Sequence, residues 1–363
     1  MSQQQPTSTA LNQTAPILST ESTELSKQPY LRRKADFIKK MLGIIVSSVA
    51  LAVLAVSVEW SKVALALTKM HYWVVIPSVG LIALQMVLRG LRWGCLLPKT
   101  DTNIPTRVLV DAIMVGNLTS SVLPLRAGEF VRPLLLSFQT KYSFPTAFVS
   151  VIIERFFDLS AVLISFGAVA LIIDDIPALM VKGALILSVL ATGLLLFIVV
   201  GALAPHLVSR LSSYVFSFLP ERYATGLQRF VINLLDGAAA LRSPINLARV
   251  VAYSIAIWSA TFLSFYVFFW LFDIPGTVTQ AVVVTVFISL AVAAPSAPGF
   301  VGVYQLGCIA ALSLFSVDLE LATAYALISH LIQYATSVLY GGYALSRTEW
   351  KLSDLLKRAP AES

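Results

Sequence analysis

Apolar runs of about twenty residues recur along this chain, separated by short polar, basic or Pro/Gly-rich stretches. The clear runs are 41–58, 72–88, 144–173, 180–204, 250–272 and 321–345. A helix crossing the hydrocarbon core of a bilayer needs about 20 predominantly apolar residues, so the pattern predicts an all-α, polytopic transmembrane helix bundle. Two more apolar stretches, 108–138 and 277–315, each carry a Pro/Gly interruption near the middle and read as broken or re-entrant segments. The breaks fall at Pro124 and Gly128 in the first, and at Pro295, Pro298 and Gly299 in the second. Pro124 and Gly128 have the spacing of Pro295 and Gly299, which leaves inverted repeats open beside two independent interruptions.

Composition agrees: 57% of the 363 residues are hydrophobic, 12% are charged, and the mean hydropathy is +0.82, outside the range of an ordinary soluble domain. Residues 1–26 are too polar to bury a core and read as a disordered cytoplasmic tail rather than a cleaved signal peptide. A membrane domain over 27–347 and a cytoplasmic tail over 348–363 complete the organisation. Within the membrane domain, 205–249 alternates apolar and basic residues (Arg210, Arg222, Arg229, Arg242, Arg249). That pattern fits either amphipathic helices on the cytoplasmic face or a connector packed on the spans.

The net charge of +7 admits nucleic acid as a partner, but the basic residues sit where membrane orientation would place them. Lys27, Arg32, Arg33, Lys34, Lys39 and Lys40 precede the first run; Arg89, Arg92, Lys99 and Arg107 follow the second; Arg347, Lys351, Lys357 and Arg358 follow the last. Asp174, Asp175, Asp273, Asp318 and Glu320 fall in the opposite connections. A multi-pass cell-membrane protein with both termini cytoplasmic is therefore expected, with no nucleic-acid partner.

Charge inside the apolar runs is the next signal. A charged side chain at a helix centre costs ~2.5–3.5 kcal/mol on insertion scales, so such groups usually pair and face a cavity. In "VIIERFFDLS", Glu154 lies roughly 15 Å into its run at 1.5 Å per residue, near mid-bilayer. Arg155 and Asp158 are three apart and can pair, while Glu154 and Asp158 share a face. With two acids against one base the cluster is net negative, partly protonated, or balanced by an outside cation such as Arg126 or Arg132 of "PLRAGEFVR", which also carries Glu129. The functional reading is a headgroup-exchanging network along a polar cavity; the structural one is a set of ion pairs locking a broken helix against its neighbour.

Around the first break, Asn117, Thr119, Ser120 and Ser121 can satisfy freed backbone groups. Around the second, Tyr304 and Gln305 can hydrogen-bond across a cavity, against the plainer reading of a kinked helix. His330 lies beside Gln333 and Tyr334 and reads as a hydrogen-bonded structural histidine or a proton relay. Trp60, Trp73, Trp93 and Trp350 fall near predicted boundaries, as in an aromatic belt. Cys95 and Cys308 form no disulfide framework, and neither metal-ligand spacing nor a cofactor or nucleotide-binding motif occurs.

The stretches "GNLTSSVLPLRAGEFVRPLLL", "VIIERFFDL" and "PSAPGFVGVYQ", in that order, resemble the lysylphosphatidylglycerol synthase transmembrane-domain family of flippase-like membrane proteins. The first carries the family's N…P.R.GE..R at Asn117, Pro124, Arg126, Gly128, Glu129 and Arg132; the second carries ER..D at Glu154, Arg155 and Asp158. The third departs from the usual PGG.G..E: Phe300 replaces a glycine, Gln305 the glutamate, and His330 stands where members tend to have arginine. An acid and a base exchanged together for neutral partners implies altered headgroup selectivity or proton coupling. Members associated with hopanoid or isoprenoid lipids are similar in size. The synthase's large soluble aminoacyl-transferase domain has no counterpart in 347–363, so the resemblance is to the flippase-like half.

The leading expectation is a transporter or flippase, not an enzyme, for a lipid or lipid-linked intermediate. Its anionic headgroup would be bound by Asn117, Arg126, Glu129, Arg132, Glu154, Arg155, Asp158, Tyr304, Gln305 and His330. The alternatives are a membrane-embedded transferase acting on a lipid carrier, with Glu129, Glu154 or Asp158 as base or metal ligand, and a noncatalytic partner of lipid-modifying enzymes.

Overall fold

The computed structural model describes residues 41, 45–98, 104–123, 127–171, 178–238, 243–293, 296–348 and 350. Thirteen α-helices run through these residues: α1 (Ile45–Ser57), α2 (Trp60–Thr68), α3 (Val75–Leu96), α4 (Thr106–Val122), α5 (Gly128–Gln139), α6 (Phe144–Ala170), α7 (Ala178–Leu203), α8 (Pro205–Phe216), α9 (Glu221–Ala238), α10 (Pro244–Phe269), α11 (Val278–Ala293), α12 (Val303–Ser313) and α13 (Leu319–Ser346). The described residues form an all-α membrane bundle, as the apolar periodicity predicts. Tyr72–Leu96 and Pro244–Phe269 are long and apolar enough to cross a membrane. At 27 and 28 residues α6 and α13 reach the same length, but polar and ionisable residues interrupt their apolar pattern.

The first apolar run, read over 41–58, is followed by a short helix that the sequence pattern does not include. After Ser57 the chain turns by 88° into α2, and the Glu59 carbonyl accepts from the amides of Lys62 and Val63 as the new helix starts. Both interrupted stretches are broken as anticipated. The first separates α4 from α5, and the second separates α11 from α12 with a short 3-10 turn at Pro298–Phe300 between them. Pro124, Arg126, Pro295, Asp174, Asp175 and the two tails, apart from Thr348 and Trp350, lie outside the described residues.

Packing follows two hydrophobic clusters. One gathers Val74, Phe268, Phe269, Phe287 and Tyr325 from the α3 start, α10, α11 and α13. The other gathers Trp93, Leu96, Ile113, Leu135 and Ile153 from α3 to α6. Small residues let helices meet backbone to backbone, as is usual where apolar burial supplies no drive between helices in lipid. Gly128 opens α5 so close to α4 that a Cβ there would lie 1.7 Å from the Gly116 carbonyl oxygen, and a Cβ at Gly341 of α13 would lie 2.6 Å from that of Met114. These contacts hold α4 between α5 and α13. Within the 205–249 stretch, α8 and α9 form a hairpin closed by Val208, Val231 and Leu235 and packed on α6 and α7, while 244–249 already belong to α10.

Candidate functional site

The two breaks meet inside the bundle. The 3-10 turn packs on α4, where a Cβ at Gly299 would lie 3.4 Å from the Ser121 carbonyl oxygen. Between the two hydrophobic clusters lies a cavity of about 410 Å³, walled by Ile82 and Phe265 on one side and Ile113 on the other. The site is therefore a product of interrupted helices: a straight α4–α5 or α11–α12 would fill this space.

One wall is charged. Glu154 is fully buried in α6, and its Oε2 lies 2.6 Å from Arg132 Nη2 while Oε1 accepts from Arg155 Nη2 at 2.9 Å. Arg132, at the second turn of α5, sits over the Trp93 ring at 4.5 Å and so is fixed from two sides. Asp158, one turn along from Glu154, receives Arg155 at 3.3 Å and Arg92 at 2.8 Å. Arg89 reaches Asp158 at 3.4 Å, and Arg155 also approaches Glu129 at 4.0 Å. Burying ions this deeply is tolerable only because each faces opposite charge.

Of the residues singled out in the sequence, Asn117, Glu129, Arg132, Arg155 and Tyr304 line the cavity. Glu154 and Asp158 stand behind that lining and hold the arginines in place. Gln305 and His330 form a separate pair. The Gln305 Oε1 accepts from the Gly302 amide at 2.8 Å, which turns its Nε2 toward His330 Nδ1 at 2.9 Å. Nδ1 then accepts, and the imidazole Nε2–H donates to the Gly299 carbonyl at 2.8 Å. The ring stacks on Tyr304 at 4.3 Å between centroids. Gln305 and His330, two of the three departures from the family pattern, are thus bonded to each other, and they clamp the second break. Arg126 lies outside the described residues.

Three residues are placed differently from their sequence reading. Arg89 and Arg92 are not loop cations beyond a span ending at 88: α3 continues to Leu96 and carries both into the bundle, Arg92 fully buried. Their three-residue spacing, which puts them on one helix face, was the available signal; the acids they meet are more than sixty residues away. Trp93 is not an interfacial aromatic. It is wholly buried, donates from Nε1 to Ser150 Oγ at 2.8 Å and supports Arg132. Trp258, which lines the cavity, carried no sequence signal. Among the described residues no cluster of three or more His, Cys, Asp or Glu is arranged to hold a metal ion.

Chemically, the charged wall can neutralise an anion. Arg155 is 40% exposed and Arg89 21%, whereas Arg92 and Arg132 are engaged in buried pairs. A planar guanidinium with donors to spare suits a phosphate oxygen pair.

No solved structure matches this chain. Among characterised proteins, it is 24% identical over 351 residues to the glycosyltransferase AglD of Haloferax volcanii, a match covering 88% of this chain and 55% of AglD. The chain thus spans about half the length of that relative. The similarity overturns the expectation of a chain with no enzymatic role, because the protein it resembles is named for a transfer reaction. The model of the lysylphosphatidylglycerol synthase transmembrane region matches residues 40–341, so this multi-pass membrane protein belongs to that family.

Proposed function

We propose that this chain binds a lipid or lipid-linked intermediate by its anionic headgroup in the cavity between the two breaks and passes that headgroup between leaflets. One observation carries the reading. Among the described residues, four guanidiniums surround three carboxylates inside an apolar bundle, and Arg89, Arg132, Arg155 and Glu129 of this network line a cavity of about 410 Å³. Ionisable groups at such depth mark substrate paths by default, and paired broken helices are where transporters place their sites. Acyl or isoprenoid chains, including those of hopanoid or related lipids, would remain in the bilayer. Both termini face the cytoplasm in this reading, and α8–α9 lies on the same side, open to lipid-modifying enzymes as partners.

A second reading is supported by the glycosyltransferase name of the relative. The same cavity would present a lipid carrier to sugar transfer, with Glu129, the 35% exposed carboxylate of the wall, as the base.

The test is translocation of labelled phosphatidylglycerol and phosphatidylcholine in proteoliposomes, with Arg155→Gln and Arg155→Lys alongside. Faster movement of the anionic probe than in protein-free vesicles, lost in Arg155→Gln and partly kept in Arg155→Lys, is expected. No acceleration of any anionic lipid would refute translocation. In a parallel assay supplied with a nucleoside diphosphate sugar, whose nucleotide leaves as an oxygen of the lipid acceptor attacks the sugar, sugar appearing on the lipid and abolished by Glu129→Gln would decide for the second reading.

A further inference from the structure

The cavity has two chemically different kinds of lining, and the charged wall explains only one. Besides the charged side chains, α3, α10, α11 and α13 line the cavity with neutral hydrogen-bonding groups, among them Gln85, Thr261, Thr285, Ser289 and Gln333. An acyl chain has no use for these groups, and polar side chains facing apolar matter cost free energy unless partnered.

Their bonding leaves capacity for a guest. Thr285 and Ser289 each donate their hydroxyl hydrogen to a carbonyl one turn back at 2.7 Å, which leaves oxygen lone pairs toward the cavity. Gln333 donates from Nε2 to the Tyr304 hydroxyl at 2.8 Å, while its carbonyl oxygen accepts from no described group. The amide nitrogen of Asn117 meets only the Met86 sulfur, a weak acceptor, at 3.1 Å. Trp258 Nε1–H is buried with no hydrogen-bond partner among the described residues. The neutral part of the lining, with Asn117 of α4, therefore offers both acceptors and donors beside aromatic surface, which matches a guest whose own groups both donate and accept: a ring of hydroxyls.

Charge sets the second condition. Arg89, Arg132 and Arg155 border the cavity, and Arg155 and Arg89 keep 40% and 21% of their side chains exposed. A phosphodiester is an anion whose two free oxygens such guanidiniums can hold. We propose that the cavity takes a sugar joined to a lipid through one phosphodiester, with the phosphate at Arg155 and Arg89 and the sugar against the α11–α13 wall. This names the substrate class of the site and rests on the anionic-headgroup reading.

Calorimetric titration of the full-length chain in detergent tests it, using citronellyl phosphoglucose, citronellyl phosphate, glucose 1-phosphate and octyl glucoside. The phosphoglucose lipid is expected to bind about tenfold more tightly than the lipid phosphate, the gain of about 1.4 kcal/mol from added hydrogen bonds. Thr285→Val, which keeps side-chain shape, and separately Gln333→Leu should bring that ratio toward one, with folding of each checked by its thermal transition. Equal affinity for the two lipids in the unaltered protein would overturn the sugar site and leave the headgroup reading standing. Glucose 1-phosphate binding as tightly as the lipid conjugate would overturn the lipid linkage. Binding of octyl glucoside alone, with neither lipid phosphate held, would refute the sugar phosphate and the anionic headgroup together.

Discussion

The two helix breaks solve one problem with different chemistry. Each interrupts an apolar segment and frees backbone groups that lipid cannot satisfy. At the first break the Gly128 amide donates to Ser120 Oγ at 3.2 Å, and the neighbouring space is filled with ions: Arg132 against Glu154, and Glu129 beside Arg155. At the second, neutral side chains do the work. Ser47 Oγ accepts from the Ala297 amide, Gln305 accepts from Gly302, and His330 donates to the Gly299 carbonyl. Each also seats its nitrogenous side chain on an aromatic ring, Arg132 on Trp93 and His330 on Tyr304. The first break is thus braced by ions and the second by neutral hydrogen bonds.

If that division is right, the charged break should be the more fragile. Replacing Glu154 by Gln leaves Arg132, Arg92 and Arg155 facing one carboxylate fewer in a fully buried site. Breaking such a network by removing one partner costs about 3–5 kcal/mol. Thermal unfolding in detergent should show the largest fall among the variants considered. An unchanged transition would mean that the ions are not mutually dependent and that the comparison of the two breaks fails.

Gly128→Ala probes the same region through shape alone. Its Cβ would meet the Gly116 carbonyl oxygen at 1.7 Å and Ser120 Oγ at 2.5 Å, so α4 and α5 must part. Overpacking of this kind costs about 1–3 kcal/mol, and the displaced Arg132 should weaken anion binding as well. Lost stability with intact binding would separate the helix contact from the ion network.

These residues also show what was legible beforehand. The broken segments and the Arg155–Asp158 pair followed from spacing on one helix and from the cost of charge in an apolar run, and an outside cation was one of three ways left open to balance the second acid. Arg89 and Arg92 did not follow, because a cation at the end of an apolar run reads as a boundary until its partner is known, and Asp158 lies 69 residues beyond Arg89. Trp93 failed similarly: an aromatic near a predicted boundary carries no mark distinguishing a membrane belt from a buried platform. The first run reads as apolar only as far as Val58, so the charge at Glu59 marks the end of a span, and the second short apolar helix at Trp60–Thr68 behind it goes unread. Pairing of Gln305 with His330 was suggested by their joint departure from the family pattern and needed the fold to bring them together.

His330→Phe tests the neutral break. The ring can still stack on Tyr304, but the Gly299 carbonyl loses its donor and Gln305 Nε2 its acceptor. An unsatisfied buried group costs about 1–3 kcal/mol. Because the pair stands away from the cavity lining, affinity for an anionic lipid should fall less than in Arg155→Gln. A larger loss of binding than of stability would make the second break part of the recognition chemistry.

The smallest effects should come from the two aromatic seats, and they give the sharpest contrast. Trp93→Phe keeps a ring beneath Arg132 but removes the indole donor to Ser150, whose hydroxyl still donates to the Ala147 carbonyl at 2.7 Å. Tyr304→Phe keeps the ring against His330 but removes the hydroxyl that accepts from Gln333 and meets Ser329 at 3.1 Å. Each change forfeits a modest hydrogen-bonding contribution of about 0.5–1.5 kcal/mol, so their unfolding transitions should shift alike. Binding should not: Tyr304 borders the cavity and Trp93 does not. Weakened headgroup binding in Tyr304→Phe alone is therefore expected in matched titrations. Equal weakening in both would mean that the rings act by positioning Arg132 and His330, and that the two breaks, despite their different chemistry, hold the cavity as one rigid frame.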